Sequence, residues 1–255
     1  MSIGRHAGNR FTPTVVSAES MYDAIQAQGI IPFFENVIPG YSIEELTPPQ
    51  YWFDGEEDGL GPWDWKIDCL RSGDIVYGKF LCGGKASFST VSWYRELRNY
   101  RQSLPKYQPV GPQLVIMDYL ATHGSITIRE VRHLLGIKKS AADALMTRLQ
   151  MQCRVVLGDL TRVYNGQDLS YKGWQVASFC RPEDLFGAGK EDVVLPEKGI
   201  ADAVPGPFSF ASVFEESDGG LETSHSPEES LELLMAHITE LTGCADRRLL
   251  LKILG

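Results

Sequence analysis

Apolar positions along the 255-residue chain recur with helical spacing, give way to strand alternation, and return to helical spacing. Ser17–Gln28 predicts a helix in which Met21, Ala24, Ile25 and Ala27 share a face, Ser17 caps the start and Gly29 stops the run. Ser20 stands where a capping box would carry an acid or amide, so no full box is expected. The segment Ile30–Phe53 is aromatic and punctuated by five residues of Pro or Gly, predicting irregular chain with one short helix near Ser42–Leu46. Asp74–Leu81 and Lys85–Ser89 read as two strands around the turn Cys82-Gly83-Gly84. A helix over Thr90–Gln102 follows, with Trp93, Leu97 and Tyr100 in register.

After Pro105, Pro109 and Pro112 the rhythm changes. Leu114, Ile116, Met117, Leu120 and Ala121 form one helical face, ended by His123-Gly124. Ser125-Ile126-Thr127 reads as a short strand, and Ile128, Val131, Leu134 and Leu135 as a second helix stopped by Gly136. A third helix is expected to start at a Ser140 cap and to present Ala141, Ala144, Leu145, Leu149 and Met151. Strand-like runs at Val155–Leu157, Thr161–Tyr164 and Trp174–Ala177 surround the turn Asn165–Asp168. Three helices and a β-hairpin predict a winged helix.

Beyond it lies a Gly-, Pro- and acid-rich loop, with residues 189–206 and 217–229 expected to be mobile. A helix capped by Ser226 follows, with Pro227, Glu228 and Glu229 in its first turn and Leu231, Leu234, Met235 and Ile238 on its apolar face; a short helix over Cys244–Leu254 ends the chain. The expected organisation is an α+β chain: an aromatic-rich α/β region 1–109, the winged-helix domain 110–186, and an acidic, partly mobile segment 187–255 ending in helices.

Charge sharpens that division. The chain carries a net −9, but residues 1–109 hold −3, residues 110–180 hold +3, and residues 181–255 hold −9. The middle segment is the basic one, so contact with a polyanion is cheapest there. No run of apolar residues is long enough for a membrane helix, and the N-terminus lacks the apolar core of a secretory leader, so a cytoplasmic protein without membrane contact is expected. The five cysteines, Cys69, Cys82, Cys153, Cys180 and Cys244, lack CxxC spacing and read as small apolar residues rather than zinc ligands.

Two places carry candidate chemistry. In a helix-turn-helix the second helix presents its first residues to the major groove; here these are Lys138, Lys139, Ser140, Asp143 and Thr147, with Arg148 further along and Arg129 and Arg132 on the preceding helix placed to reach phosphates. The same surface could instead meet a protein. The second place is Trp52, Trp63, Asp64, Trp65 and Lys66, which read either as a pocket that stacks a flat ligand or as an aromatic mini-core with its indole N–H groups satisfied by carboxylates. Asp64-Trp65-Lys66, with Asp54 upstream, also fits half of a metal-dependent nuclease site. The five histidines show no ligand spacing, no nucleotide fingerprint is present, and Gly83-Gly84-Lys85 reads as a hairpin turn.

Gly61-Pro62-Trp63-Asp64-Trp65-Lys66, Tyr77-Gly78-Lys79-Phe80 with Lys85-Ala86-Ser87-Phe88, and Leu149-Gln150-Met151-Gln152 together resemble a group of bacterial winged-helix proteins related to the alkylpurine (crosslink-repair) DNA glycosylase superfamily. The resemblance spans roughly residues 15–185 and implies tandem winged-helix units, excision of alkylated or crosslinked bases, and no cofactor or metal. It maps a glutamine–aliphatic–glutamine signature onto Gln150-Met151-Gln152, implying that Gln150 and Gln152 hold and aim the water that attacks the sugar. The expected function is therefore a DNA-associated winged-helix protein that excises alkylated bases. The alternatives are a non-catalytic regulatory or protein-interaction module, whose acidic tail meets an unknown protein partner and limits nonspecific DNA binding, and a metal-dependent nuclease.

Overall fold

The computed structural model describes residues 14–53, 61–164, 171–187 and 220–255. Within them the chain is a mixed α+β fold with eleven α-helices and two three-stranded antiparallel sheets.

Helix α1 (Ala18–Gln28) starts at Ser17 and ends at Gly29. It has the capping box that the sequence did not predict: Ser20 Oγ accepts the Ser17 N–H at 2.9 Å while Ser17 Oγ accepts the Ser20 N–H at 3.1 Å. A hydroxyl is as good an acceptor here as the longer acid or amide. The next segment is more regular than expected, because Ile30–Pro32 forms strand β1 ahead of helices α2 (Ile43–Leu46) and α3 (Gln50–Phe53). Pro32 is tolerated because β1 is an edge strand. Residues 54–60, including Asp54, lie outside the described residues.

Helix α4 (Pro62–Arg71) was not read from the sequence. Pro62 stands in its first turn, a position that needs no N–H. The first sheet has order β1-β3-β2, with β2 (Ile75–Leu81) and β3 (Lys85–Thr90) joined at Cys82–Gly84. Helix α5 (Val91–Ser103) follows and buries Tyr94, Leu97, Glu96 and Arg101.

The middle segment runs α6 (Pro112–His123), β4 (Ser125–Thr127), α7 (Ile128–Leu135), α8 (Lys139–Met151), β5 (Val156–Tyr164) and β6 (Tyr171–Cys180). Its sheet has order β4-β6-β5. Ile126 and Leu157 both pair with Phe179, packing the sheet onto the helices. Val155–Leu157 and Thr161–Tyr164, read as separate runs, belong largely to the one strand β5. The turn expected over Asn165–Asp168 lies outside the described residues.

Helix α9 (Pro182–Phe186) is followed by the described residues from 220, then α10 (Pro227–Thr242), where the expected Ser226 cap is part of a full capping box with Glu229, and α11 (Arg247–Leu254) capped by Asp246. Both last helices pack on the first region. Ile253 O accepts the Cys82 N–H, and Leu254 O accepts from the buried guanidinium of Arg101. Residues 221–226, expected to be mobile, are instead pinned: Leu221 is buried, and Thr223 Oγ1, His225 Nδ1 and Ser230 Oγ all reach the Glu96 carboxylate. Residues 189–206 lie outside the described residues. Cys69, Cys153 and Cys180 are buried, and Cys82 and Cys244 are half-buried.

Candidate nucleic-acid interface

Thr127 and Glu130 close a capping box at the start of α7, and Gly136, in the left-handed conformation, ends it. Ile137 then leads to Lys138, which is the N-cap of α8; Ser140 therefore lies in the first turn and does not cap. The start of α8 has no side-chain cap, so its first backbone N–H groups, beside the exposed Lys138, Lys139 and Ser140, are available to an anion. Arg129 and Arg132 are exposed on α7 and line a shallow surface depression with Thr127, Glu130, His133 and Ile137. Arg148 is exposed but engaged: it donates to Lys106 O at 2.5 Å and sits 5.7 Å from the centre of the Tyr107 ring.

The buried stripe of α8 is Ala142, Met146, Leu149 and Gln150; of the expected face, Leu149 is buried and Leu145 and Met151 are half-buried. The buried residues stand at i, i+4, i+7 and i+8 and so share one helix face. Ala141 and Ala144 are exposed.

Gln150 is 2% exposed and Gln152 1%. Strand β2 carries a register irregularity between Gly78 and Leu81, and the Lys79 N–H that this frees donates to Gln150 Oε1 at 2.8 Å. Gln150 Nε2 donates back to Met146 O. Gly78 leaves room for this approach, since a Cβ there would lie 3.1 Å from Gln150 Oε1 and press on the glutamine. Gln152 Nε2 donates to Gln108 O and Gln113 Oε1, both at 3.2 Å; its own buried Oε1 has no partner among the described residues. Between them, Met151 O accepts from Arg101. The triplet thus joins β2, α5 and the linker into α6.

The tryptophan cluster is a separate feature. Trp65 is buried against Tyr51, while Trp63 lies 46% exposed at the edge of an aromatic group with Phe33, Phe34 and Trp52, at ring separations of 5.4 to 6.0 Å. Trp52 Nε1 is buried without a partner among the described residues. The β5–β6 ribbon is tied to α4 at this point. Arg162 Nε lies 3.4 Å from Asp64 Oδ1, and Gln175 Nε2 donates to Trp63 O at 2.9 Å. Further along, Arg71 pairs with Asp159. Sequence reasoning missed Arg162 and Gln175, because only the packed ribbon brings them to α4.

Lys66 is buried on the same helix with Nζ 4.7 Å from the centre of the Trp63 ring. Burial pulls its pKa down to about 8 against the opposing pull of Asp64. Burial likewise raises the Asp68 carboxyl, against Arg162 and Arg71. Among the described residues no hydrogen bond or ring contact joins this cluster to Gln150 or Gln152, and none gathers three or more His, Cys, Asp or Glu as a metal site.

A family model described as AlkZ related matches residues 15–198. The chain belongs to the AlkZ-related family. AlkZ itself is a crosslink-repair DNA glycosylase. The matched span contains α7, α8, the glutamine triplet and the Trp63 cluster. Neither the curated proteins nor the solved structures yield a match. No helix among the described residues is long and apolar enough to cross a membrane.

Proposed function

We propose that this AlkZ-related protein binds duplex DNA through a winged helix formed by α6–β6 and excises alkylated bases at the Trp63–Asp64 end of α4, to which the β5–β6 ribbon is tied. The element order helix–strand–helix–helix–strand–strand and the sheet order β4-β6-β5 support the winged-helix reading. The observation that carries the DNA reading is the uncapped start of α8, which puts free N–H groups beside exposed Lys138, Lys139 and Ser140, with Arg129 and Arg132 on the adjoining helix. In this docking α8 enters the major groove and the α7 arginines hold phosphates.

Excision of an alkylated purine asks little of the protein, because the positively charged base is already a good leaving group. The needs are a flat surface for the base and negative charge beside the sugar cation that develops as the bond breaks. Trp63 supplies the first and Asp64 the second, with Arg162 and Gln175 fixing the carboxylate. Gln150 and Gln152 act in this reading by holding α8 to β2 and the linker, so their role is positioning. The test is release of a methylated purine from duplex DNA by the full chain, compared with Asp64→Asn. Release that persists undiminished in Asp64→Asn removes Asp64 from the chemistry. DNA binding without release by the wild-type chain favours the non-catalytic module.

A further inference from the structure

Lys66 takes no part in the excision chemistry assigned to Trp63 and Asp64. It is a buried lysine whose polar contact is the face of Trp63, and it forms no ion pair among the described residues. Burial lowers its pKa even against the pull of Asp64, so the ammonium is held at a cost that a structural role does not repay, since a methionine of similar length would fill the space. The half-exposed Trp63 ring lies over the amine at the solvent edge of the cluster.

Base excision produces a distinctive product: a deoxyribose with no base, whose ring opens to an aldehyde at C1′. It also leaves a gap in the base stack that a flat side chain can fill. An indole entering that gap from α4 would bring the sugar to the group beneath the ring. We infer that Lys66 is an amine nucleophile that captures the aldehyde of an abasic deoxyribose in DNA as an imine. This rests on the DNA reading above.

The step balances without a further reactant. The neutral amine adds its lone pair to C1′, a C–N bond forms, and the carbonyl oxygen becomes a hydroxyl. That oxygen then leaves as water with the two amine hydrogens, giving C=N; addition of water reverses the step. It requires the unprotonated amine. With a pKa of about 8, roughly a tenth of the amines are neutral at pH 7, against less than a thousandth for an ordinary lysine.

The experiment incubates the full-length protein with a duplex carrying a single abasic site and cyanoborohydride, which reduces an imine to a stable secondary amine. The expected result is a covalent protein–DNA adduct that peptide mass spectrometry maps to Lys66. It should be absent with a tetrahydrofuran site, which has no aldehyde, and lost in Lys66→Arg, which keeps the charge. Mapping in the wild-type chain does not depend on any variant folding. An absent adduct, or one mapped to another amine, overturns the inference. Binding of intact duplex is measured in parallel: binding without an adduct overturns the imine alone, whereas no binding and no adduct overturn the DNA reading as well.

Discussion

Gln150 Oε1 accepts the backbone N–H of Lys79 at 2.8 Å, across 71 residues of chain. The bond satisfies a donor freed by the β2 irregularity and ties the first sheet to α8, the helix proposed to enter DNA. Two strings that carried the family resemblance, Tyr77-Gly78-Lys79-Phe80 and Leu149-Gln150-Met151-Gln152, meet at this point.

Removing the acceptor in Gln150→Ala leaves the part-buried Lys79 N–H unpaired and is expected to cost about 1 kcal/mol of stability. Gly78→Ala, which pushes a methyl against the same oxygen, is expected to destabilise by about 1 kcal/mol or more. Because the clash needs the glutamine, the two losses should be less than additive in the double variant. Urea unfolding of the four proteins measures this, and full additivity would deny the contact its role.

Glu96 ties α10 and the preceding segment to α5. Burial pushes its carboxyl up, but hydrogen bonds from Ser230, Thr223 and His225 outweigh that and hold it below the ordinary range. Glu96→Ala removes charge-assisted bonds and is expected to cost about 2 kcal/mol or more. Hydrogen exchange should show the loss first in α10 and residues 221–226; unchanged protection there would contradict the assignment.

Lys66 has a folded pKa of about 8 against an ordinary 10.5. Between those values the unfolded chain holds more protons than the folded one, so this group makes the protein more stable as pH rises through that window. Below 8 its penalty is complete. Lys66→Met should therefore be stabilising relative to wild type below pH 8 and lose that advantage as pH approaches 10.5. A stability difference that does not vary with pH would mean the amine is not held in a depressed state.

The helices that cover a core from one side were legible, because Met21, Ala24 and Ile25 or Leu234, Met235 and Ile238 repeat at helical spacing. Helix α4 was not, because its buried residues include Asp64 and Lys66 beside Trp65, Ile67 and Leu70, which blurs the apolar stripe. The start of α8 was misplaced because a serine is the better cap in general, whereas Lys138 takes the position in the fold. The site residues were legible as types and not as contacts. Nothing local to Gln150 reveals that a strand irregularity 71 residues away needs an acceptor, and Arg162 and Gln175 reach Asp64 only after the ribbon packs.

The central claim is that the α7–α8 surface binds DNA, and duplex affinity measured against salt concentration tests it most directly. The account predicts that log affinity falls linearly with log salt. Replacing Lys138 and Lys139 with alanine should weaken binding at low salt and reduce the slope by about 1.8, if each lysine meets one phosphate. Arg148→Ala should matter less, because its guanidinium is engaged with Lys106 and Tyr107. Salt-independent binding, no binding at low salt, or a slope unchanged in the double lysine variant would contradict the account.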